Sequence, residues 1–373
     1  MSSKKQGVIW KAPPHTIAKI EILRTYLTAW FAILGRTKKK QDLLYIDGFA
    51  GPGEYLNHPT GSPIAALETA TNALSTLGKQ WIAGTIHLGF IDHDSQILGN
   101  LRQKIATCSV PQGIQIHLYN TFFTDALSQL KKALPAPFVR SSPLFVFIDP
   151  FGATGVPFSA VSDLLRSGCS EVLINLDADG IARIFAAGHR ADSQTILNDI
   201  FGTPDWQEKT WKSLSFDQQC REVLEFYKSR LRQLPNVKYV FAFEMRTTKT
   251  AINYHLVFAS QHPLGLEKMK EAMKKMDQDG TYSFSDAGVL QPGLFRFDDP
   301  YTFSERLSKA FRGMAVSYAD VNDYALNETP FVNPKSMLKV LENKGLITVE
   351  SSDPKRRKGT FNENKTKCIL FSS

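Results

Sequence analysis

The sequence predicts an α/β fold: a doubly wound sheet of parallel strands, extended at one edge by antiparallel strands and followed by a small helical module. Three observations carry that expectation. Five short apolar runs, at 43–47, 86–92, 114–120, 144–149 and 171–177, alternate with helical stretches near 62–77, 94–106, 123–133, 157–167 and 178–188. The runs are too apolar to leave one face of the sheet wet, so helices must cover both sides. After about residue 303 the texture changes to short helices ending in a strand, a basic turn and a strand.

Each element has a local reason. Residues 15–34 place Ile17, Ile20, Leu23, Leu27, Trp30, Phe31 and Leu34 at helical spacing, opened by Pro13-Pro14 and stopped by Gly35 before the cationic run 36–40. In "TGSP" (60–63), Ser62 is expected to cap the helix after the first strand, with Pro63 at its first position. Residues 189–235 read as a polar helical insertion containing Trp206 and Trp211. "VKYVFAFEM" (237–245) and "INYHLVFAS" (252–260) read as an antiparallel pair at the far edge of the sheet, followed by a helix over "LEKMKEAMKKM". Helices near 304–313 and 319–327 then precede "NPKSMLKVLENKG", capped by Asn333 and closed by Gly345. Three helices and a terminal hairpin in this order suggest a winged helix. The chain thus divides into a sheet domain over 1–300 and a winged-helix-like module over 301–373.

Composition narrows the function. With 373 residues and a net charge of +8, the chain suits a polyanionic partner, because Lys and Arg release counterions from phosphates. No run of about 18 apolar residues is present, so no membrane span is expected. "MSSKKQGVIWKAPPH" lacks the apolar core of a secretory signal. The four cysteines (Cys108, Cys169, Cys220, Cys368) lie far apart without a CxxC pair, which reads as reduced thiols of a cytoplasmic protein with no metal site.

The stretch "LLYIDGFAGPGEY" (43–55) ends a strand in an acid and follows it with a bare loop at the first strand-to-helix turn. Ligands of open parallel sheets bind beyond the carboxyl ends of the strands. Neither GxxxxGK[ST] nor GxGxxG occurs, which disfavours an ATP cradle and a dinucleotide fingerprint. Instead Asp47, Gly48, Phe49, Ala50, Gly51 and Gly53 resemble the first motif of class I methyltransferases, in the "FAGxG" form of enzymes that modify DNA or RNA bases. That resemblance implies S-adenosylmethionine as cofactor. At the second strand end, "GFIDHD" offers Asp92, with Asp94 in reserve, to accept hydrogen bonds from ribose hydroxyls. At the third, Asn120, Thr121 and Phe122 stand where such enzymes commonly contact adenine; a core role for Phe122 and Phe123 is the alternative.

The fourth strand ends in Asp149-Pro150-Phe151-Gly152. It resembles the [D/N]-P-P-[Y/F] motif of enzymes that methylate exocyclic amines, with shortened spacing, and the "DPFG" of tRNA guanine-N2 dimethyltransferases. The resemblance implies that acid and backbone accept the target amine while the aromatic ring stacks on an extruded base. The loop lacks a cysteine, which disfavours cytosine C5 chemistry.

The ordered set, with "YIDGFAGPGEY", "TGSPIAAL", "FIDPFG", "EVLINLDADGIARI" and "YHLVFASQHPLGLEKMKEAM", resembles the bacterial and phage-associated three-Cys-motif partner proteins. The resemblance spans nearly the whole chain. It implies a separate three-cysteine, radical-S-adenosylmethionine-like partner protein, and hints that His15 and Lys19, one turn apart, face the cofactor cleft. At the other end, Lys355, Arg356, Arg357 and Lys358 occupy the expected wing, with Lys335 and Lys339 on the preceding helix, as candidate nucleic-acid contacts. Three functions stay in view: a base-amine methyltransferase, a non-catalytic binding or scaffold protein for that partner, and a small-molecule methyltransferase, against which the basic tail argues.

Overall fold

The computed structural model describes residues 8–135, 138, 142–166, 168–187, 191–246, 253–277, 280, 282–286 and 299–372. The first seven residues, part of the N-terminal stretch considered above, lie outside them.

Eight strands form one sheet: β1 (Leu43–Asp47), β2 (Ile86–Ile91), β3 (Ile114–Tyr119), β4 (Leu144–Ile148), β5 (Ser170–Leu176), β6 (Tyr239–Arg246), β7 (Asn253–Ser260) and β8 (Ser283–Ser285). Their spatial order is β3-β2-β1-β4-β5-β7-β6-β8. Only β7 runs against its neighbours. This is the doubly wound, Rossmann-like sheet the sequence predicts, with the antiparallel insertion that the two late strands announced. The order reverses between β1 and β4, and such a switch point opens a crevice at the carboxyl ends.

The central strands are buried on both faces, as their unbroken apolar runs require. On one face α1 (Pro14–Thr37), α2 (Ser62–Leu77), α3 (Ser95–Ala106) and the later α9 (Pro263–Met276) cover Tyr45, Phe90, Phe145 and Phe258. On the other, α4 (Phe123–Ala133), α5 (Phe158–Leu165), α6 (Ala178–Ala186), α7 (Ala191–Phe201) and α8 (Phe216–Arg232) cover Ile46, Val146 and Ile174. Trp206 and Trp211 of the helical insertion are part of this second core.

Two local expectations are corrected. Helix α1 does not stop at Gly35 but continues to Thr37. Gly35 is there for space: a Cβ on it would come 2.4 Å from the Trp81 ring. Nor does Ser62 cap α2, because Gly61 holds that position and Ser62 is the first helical residue.

The last elements are α10 (Pro300–Ala310), β9 (Ala315–Val316), α11 (Tyr318–Glu328), α12 (Lys335–Asn343), β10 (Ile347–Ser351) and β11 (Thr366–Phe371). The three strands pair antiparallel in the order β10-β11-β9 over their own apolar cluster. The Asn333 side chain accepts from Lys335 N–H, and Gly345, at φ +71°, ends α12 as its position suggested. Lys270 joins this group to the sheet. Its ammonium, fully buried, donates to the carbonyls of Ala325, Leu326, Thr329 and Phe331 at 2.7–3.2 Å, at the end of α11 where the helix dipole is negative.

Candidate active site

The loop after β1 is pinned on three sides before any ligand is considered. Gly48 N–H donates to Phe147 O of β4, Ala50 N–H to Ile91 O of β2, and Gly61 N–H to Gly53 O. Asn100 of α3 donates to Pro52 O, and Lys104 pairs with Glu54 at 2.7 Å. Gly51 and Gly53 stand at φ +64° and +84°, a region that residues with a Cβ rarely enter. Phe49 leans out of the loop and stacks on Phe123 at 5.8 Å. The result is a buried, preshaped backbone between the tips of β1, β2 and β4.

Three acids meet there. Asp47 is fully buried at the tip of β1, and its Oδ2 has no hydrogen bond. Burial pushes its carboxyl up to about 7, against the pull of the Ser62 hydroxyl and the Phe49 amide. Thus the residue expected to cap α2 lies beside Asp47 instead. The charges of Asp149 and Asp92 push Asp47 further in the same direction, so the three carboxylates stand close to one another.

Asp92, at the tip of β2, accepts from Gly51 N–H at 3.2 Å and from Asp94 N–H at 2.9 Å. It therefore fastens the glycine loop as well as facing the crevice, and burial raises its carboxyl above the ordinary value. Asp94, the reserve choice, is committed elsewhere: it caps α3, accepting from Gln96 and Ile97 N–H. After β3, Asn120 donates to the carbonyls of Asp92 and His93. Thr121 is half-buried beside it. Phe122 is 65% exposed and stacks on His93 at 5.3 Å, whereas Phe123 enters the core. The core role considered for both thus falls to Phe123 alone.

Asp149, just beyond β4, is held by Lys19 through both oxygens, at 2.7 and 2.8 Å, and by the Asn175 amide at 2.7 Å. His15 lies one turn before Lys19, with Nδ1 at 2.8 Å from Asp286 Oδ2 and its ring 5.6 Å from that of Tyr254. Both α1 residues thus reach the carboxyl edge of the sheet. Pro150 is half-buried, Phe151 is 79% exposed, and Gly152 turns the chain at φ +94°. Trp10 brackets Phe151 and Tyr55 at 6.1 and 5.8 Å. Burial, with Asp149 and Asp47 nearby, raises the Tyr55 phenol well above its usual value.

Asn175, Asp286, Tyr254, Tyr55 and Trp10 were not legible as site residues. Asn175 left the clearest trace, as the one amide in the buried run of β5. The others arrive from distant segments, and only the closed sheet brings them together.

Of the six candidate contacts named on the terminal module, five are exposed: Lys335, Lys339, Lys355, Arg357 and Lys358. Arg356 instead forms a two-pronged ion pair with Glu342 at 2.8 and 2.9 Å. Lys339 packs its stem against Gly359, so α12 and the hairpin turn share one surface. Among the described residues no cluster of His, Cys, Asp or Glu could hold a metal ion, and no helix is long and apolar enough to cross a membrane.

No family model matches the chain, and no curated protein is significantly similar to it. Solved structures overlap it weakly. A protein of Legionella pneumophila matches at 12% identity over 66% of this chain and 86% of its own, with a TM-score of 0.38. The O-methyltransferase TomG of Streptomyces achromogenes, solved with SAM, matches at 14% identity over 62% and 79%, with a TM-score of 0.33. Loganic acid methyltransferase with SAH matches at 9% identity over 71% and 99%, with a TM-score of 0.30. Overlap at this level leaves the chemistry to be argued from the residues of the crevice.

Proposed function

We propose that this protein is an S-adenosylmethionine-dependent methyltransferase acting on an exocyclic amine of a DNA or RNA base. One observation carries the reading: the acids at the tips of β1, β2 and β4 converge on a bare backbone loop at the switch point of the sheet. Three clustered carboxylates, one with an unpartnered buried oxygen, suit a ligand bearing positive charge and hydroxyls rather than phosphates. S-adenosylmethionine has that character, and when bound it supplies a methyl group on a sulfonium. The glycine loop and Asp47 would hold its amino-acid end, Asp92 its ribose, and His93 with Phe122 would border its base.

The chain's own part in transfer is positioning. Asp149 accepts two N–H donors in this structure, and a base amine would offer N–H groups of the same kind to the same oxygens. Such acceptance draws electron density onto the amine nitrogen and aims it. Phe151, exposed beside Trp10, gives an extruded base a ring to stack on. The terminal three helices and hairpin would act as a winged-helix-like module, and Lys335, Lys339, Lys355, Arg357 and Lys358, all exposed, would follow a phosphate backbone. A three-cysteine partner, as the family resemblance implies, would complete the assembly.

A second reading has its own support. The Lys19–Asp149 pair occupies the acceptor that transfer needs, as a scaffold with a closed cleft would. Tritiated methyl transfer to total DNA and total RNA, with and without the partner, separates the two when run beside S-adenosylmethionine calorimetry. Transfer by the natural protein that Asp149→Ala abolishes supports the enzyme. Absence of transfer under every condition supports the scaffold, which need not bind the cofactor, and absence of cofactor binding removes the enzyme reading.

A further inference from the structure

At the opposite, amino-terminal edge of the sheet a cavity of about 580 Å³ opens between α1, the turn before β5 and the start of α9. Trp30, Ile33, Leu34, Pro143 and Leu264 give it an apolar wall, and Lys38, His262 and Lys268 stand among its polar lining. Volume and lining are those of a small-molecule site.

Its polar feature is Glu171, the second residue of β5. The residue lies deep in the fold yet keeps accessible surface, and it lines the cavity. Tyr26 OH donates to its Oε2 at 2.5 Å, Trp30 Nε1 to the same oxygen at 3.0 Å, and Ser260 Oγ to Oε1 at 2.7 Å. All three donors are neutral. Among the described residues no Lys, Arg or His forms an ion pair with this carboxylate; Lys268 at the cavity is engaged by Glu271, and Lys38 lies against Cys169. Gly265 is kept bare for it, since a Cβ there would come 1.9 Å from Oε1. Burial raises the carboxyl above its usual value, and the three donors offset only part of that rise.

A buried carboxylate normally has a cation beside it. Here three neutral donors fill three of about four acceptor positions, and two aromatic rings border the site. The fold has already borne the desolvation of this acid, so an incoming cation would gain attraction without that cost. We propose that the cavity binds a primary amine with a compact aromatic or apolar body. Its ammonium takes the remaining acceptor position of Glu171 and the faces of Tyr26 and Trp30, and its body lies among Ile33, Leu34 and Leu264.

The test is calorimetry on the full chain with 2-phenylethylamine, 2-phenylethanol and 3-phenylpropionate. The amine is expected to bind at least about tenfold more tightly than the alcohol, and the acid most weakly. Glu171→Gln should bring the amine to the level of the alcohol, and Leu34→Trp, which fills the cavity without touching the carboxylate, should remove both. Equal binding of the three compounds, or amine binding that survives Leu34→Trp, overturns the proposal even if Glu171→Gln fails to fold. Because Asp47 and Asp92 lie at the other edge, Asp92→Ala should leave amine affinity unchanged, and its loss there would also overturn the assignment.

Discussion

Lys19 Nζ lies 2.8 Å from Oδ1 and 2.7 Å from Oδ2 of Asp149, so a buried ammonium on α1 closes over the acid at the tip of β4. The pair joins the N-terminal helix to the switch point of the sheet, and it contributes to stability. The Lys19 and Asp149 side chains are only 9% and 22% exposed, so solvent screens the interaction incompletely. Lys19→Met should cost about 1–2 kcal/mol, less than a fully buried pair, because Asn175 still serves Asp149. Urea unfolding of Lys19→Met, Asp149→Asn and the double variant should give a coupling energy of about 1–2 kcal/mol. Strictly additive single effects would show that the pair contributes no mutual stabilisation.

Asp47 makes the fold pH-sensitive in a defined direction. Its carboxyl stands near 7 in the fold, against about 3.9 in an unfolded chain. Below pH ~4 both states hold the proton and the group is neutral to stability. Between ~4 and 7 the folded state keeps a proton that the unfolded chain has released, so stability falls as pH rises; above 7 the full cost is present. Asp47→Asn should therefore stabilise by up to about 4 kcal/mol at pH 8 and by almost nothing at pH 4, read by thermal unfolding at both. A pH-independent difference would refute titration of Asp47 in this window.

The periodic parts of this fold were legible because one pattern decides them. A strand buried on both faces must be apolar throughout, and β1, β2 and β4 are. The strand-tip acids were legible because a charge at the end of such a run has few structural uses. Roles set by a neighbour distant in sequence were not. Gly35 has the composition of a helix stop, but Trp81 needs its missing side chain; Ser62 has the composition of a cap, but sits beside Asp47. Arg356 reads as one of four equal cations, and only folding brings Glu342 beneath it.

Asp92 and Asp94 stand two residues apart with different work, and substitution should separate them. Asp92 fastens Gly51 and faces the crevice, so Asp92→Ala should weaken S-adenosylmethionine binding by roughly tenfold or more, about the worth of a hydrogen bond to a charged group. Asp94 caps α3, so Asp94→Ala should cost about 1 kcal/mol of stability and change affinity by less than about twofold. Calorimetry with urea unfolding reads both quantities. Equal affinities for Asp92→Ala and the natural protein would remove Asp92 from the cofactor site.

Lys270 should be required for holding the terminal helices on the sheet. Its ammonium serves four carbonyls and lies 4.7 Å from the Phe241 ring. Burial lowers its pKa well below the usual value, and the charge of Glu328 offsets part of that effect. Lys270→Met keeps the stem but leaves buried carbonyls without a donor, at a cost of about 2–4 kcal/mol. Limited proteolysis should then degrade the terminal helices well before it does in the natural protein. An unchanged cleavage rate would mean that the apolar contacts suffice.

The hairpin turn separates binding charges from a structural one. Lys355, Arg357 and Lys358 are exposed, whereas Arg356 is bonded through two nitrogens to Glu342, which also accepts from Gly359 N–H. If the exposed three touch phosphates, their joint replacement by Ala should weaken nucleic-acid binding. It should also reduce the slope of log affinity against log salt by about 2–3, since each phosphate contact releases close to one counterion. Arg356→Ala should instead cost ~2 kcal/mol of stability. Burial pushes the Glu342 carboxyl up, but the Arg356 guanidinium and the Gly359 amide outweigh it and hold the carboxyl below its usual value. That contribution is complete above the unfolded value of about 4.3 and is lost as pH falls through the lower folded one, so the deficit of Arg356→Ala should shrink in acid. Filter binding at several salt concentrations and urea unfolding at pH 3 and 7 test the division. A salt slope unchanged by the triple replacement would take the hairpin out of any nucleic-acid interface.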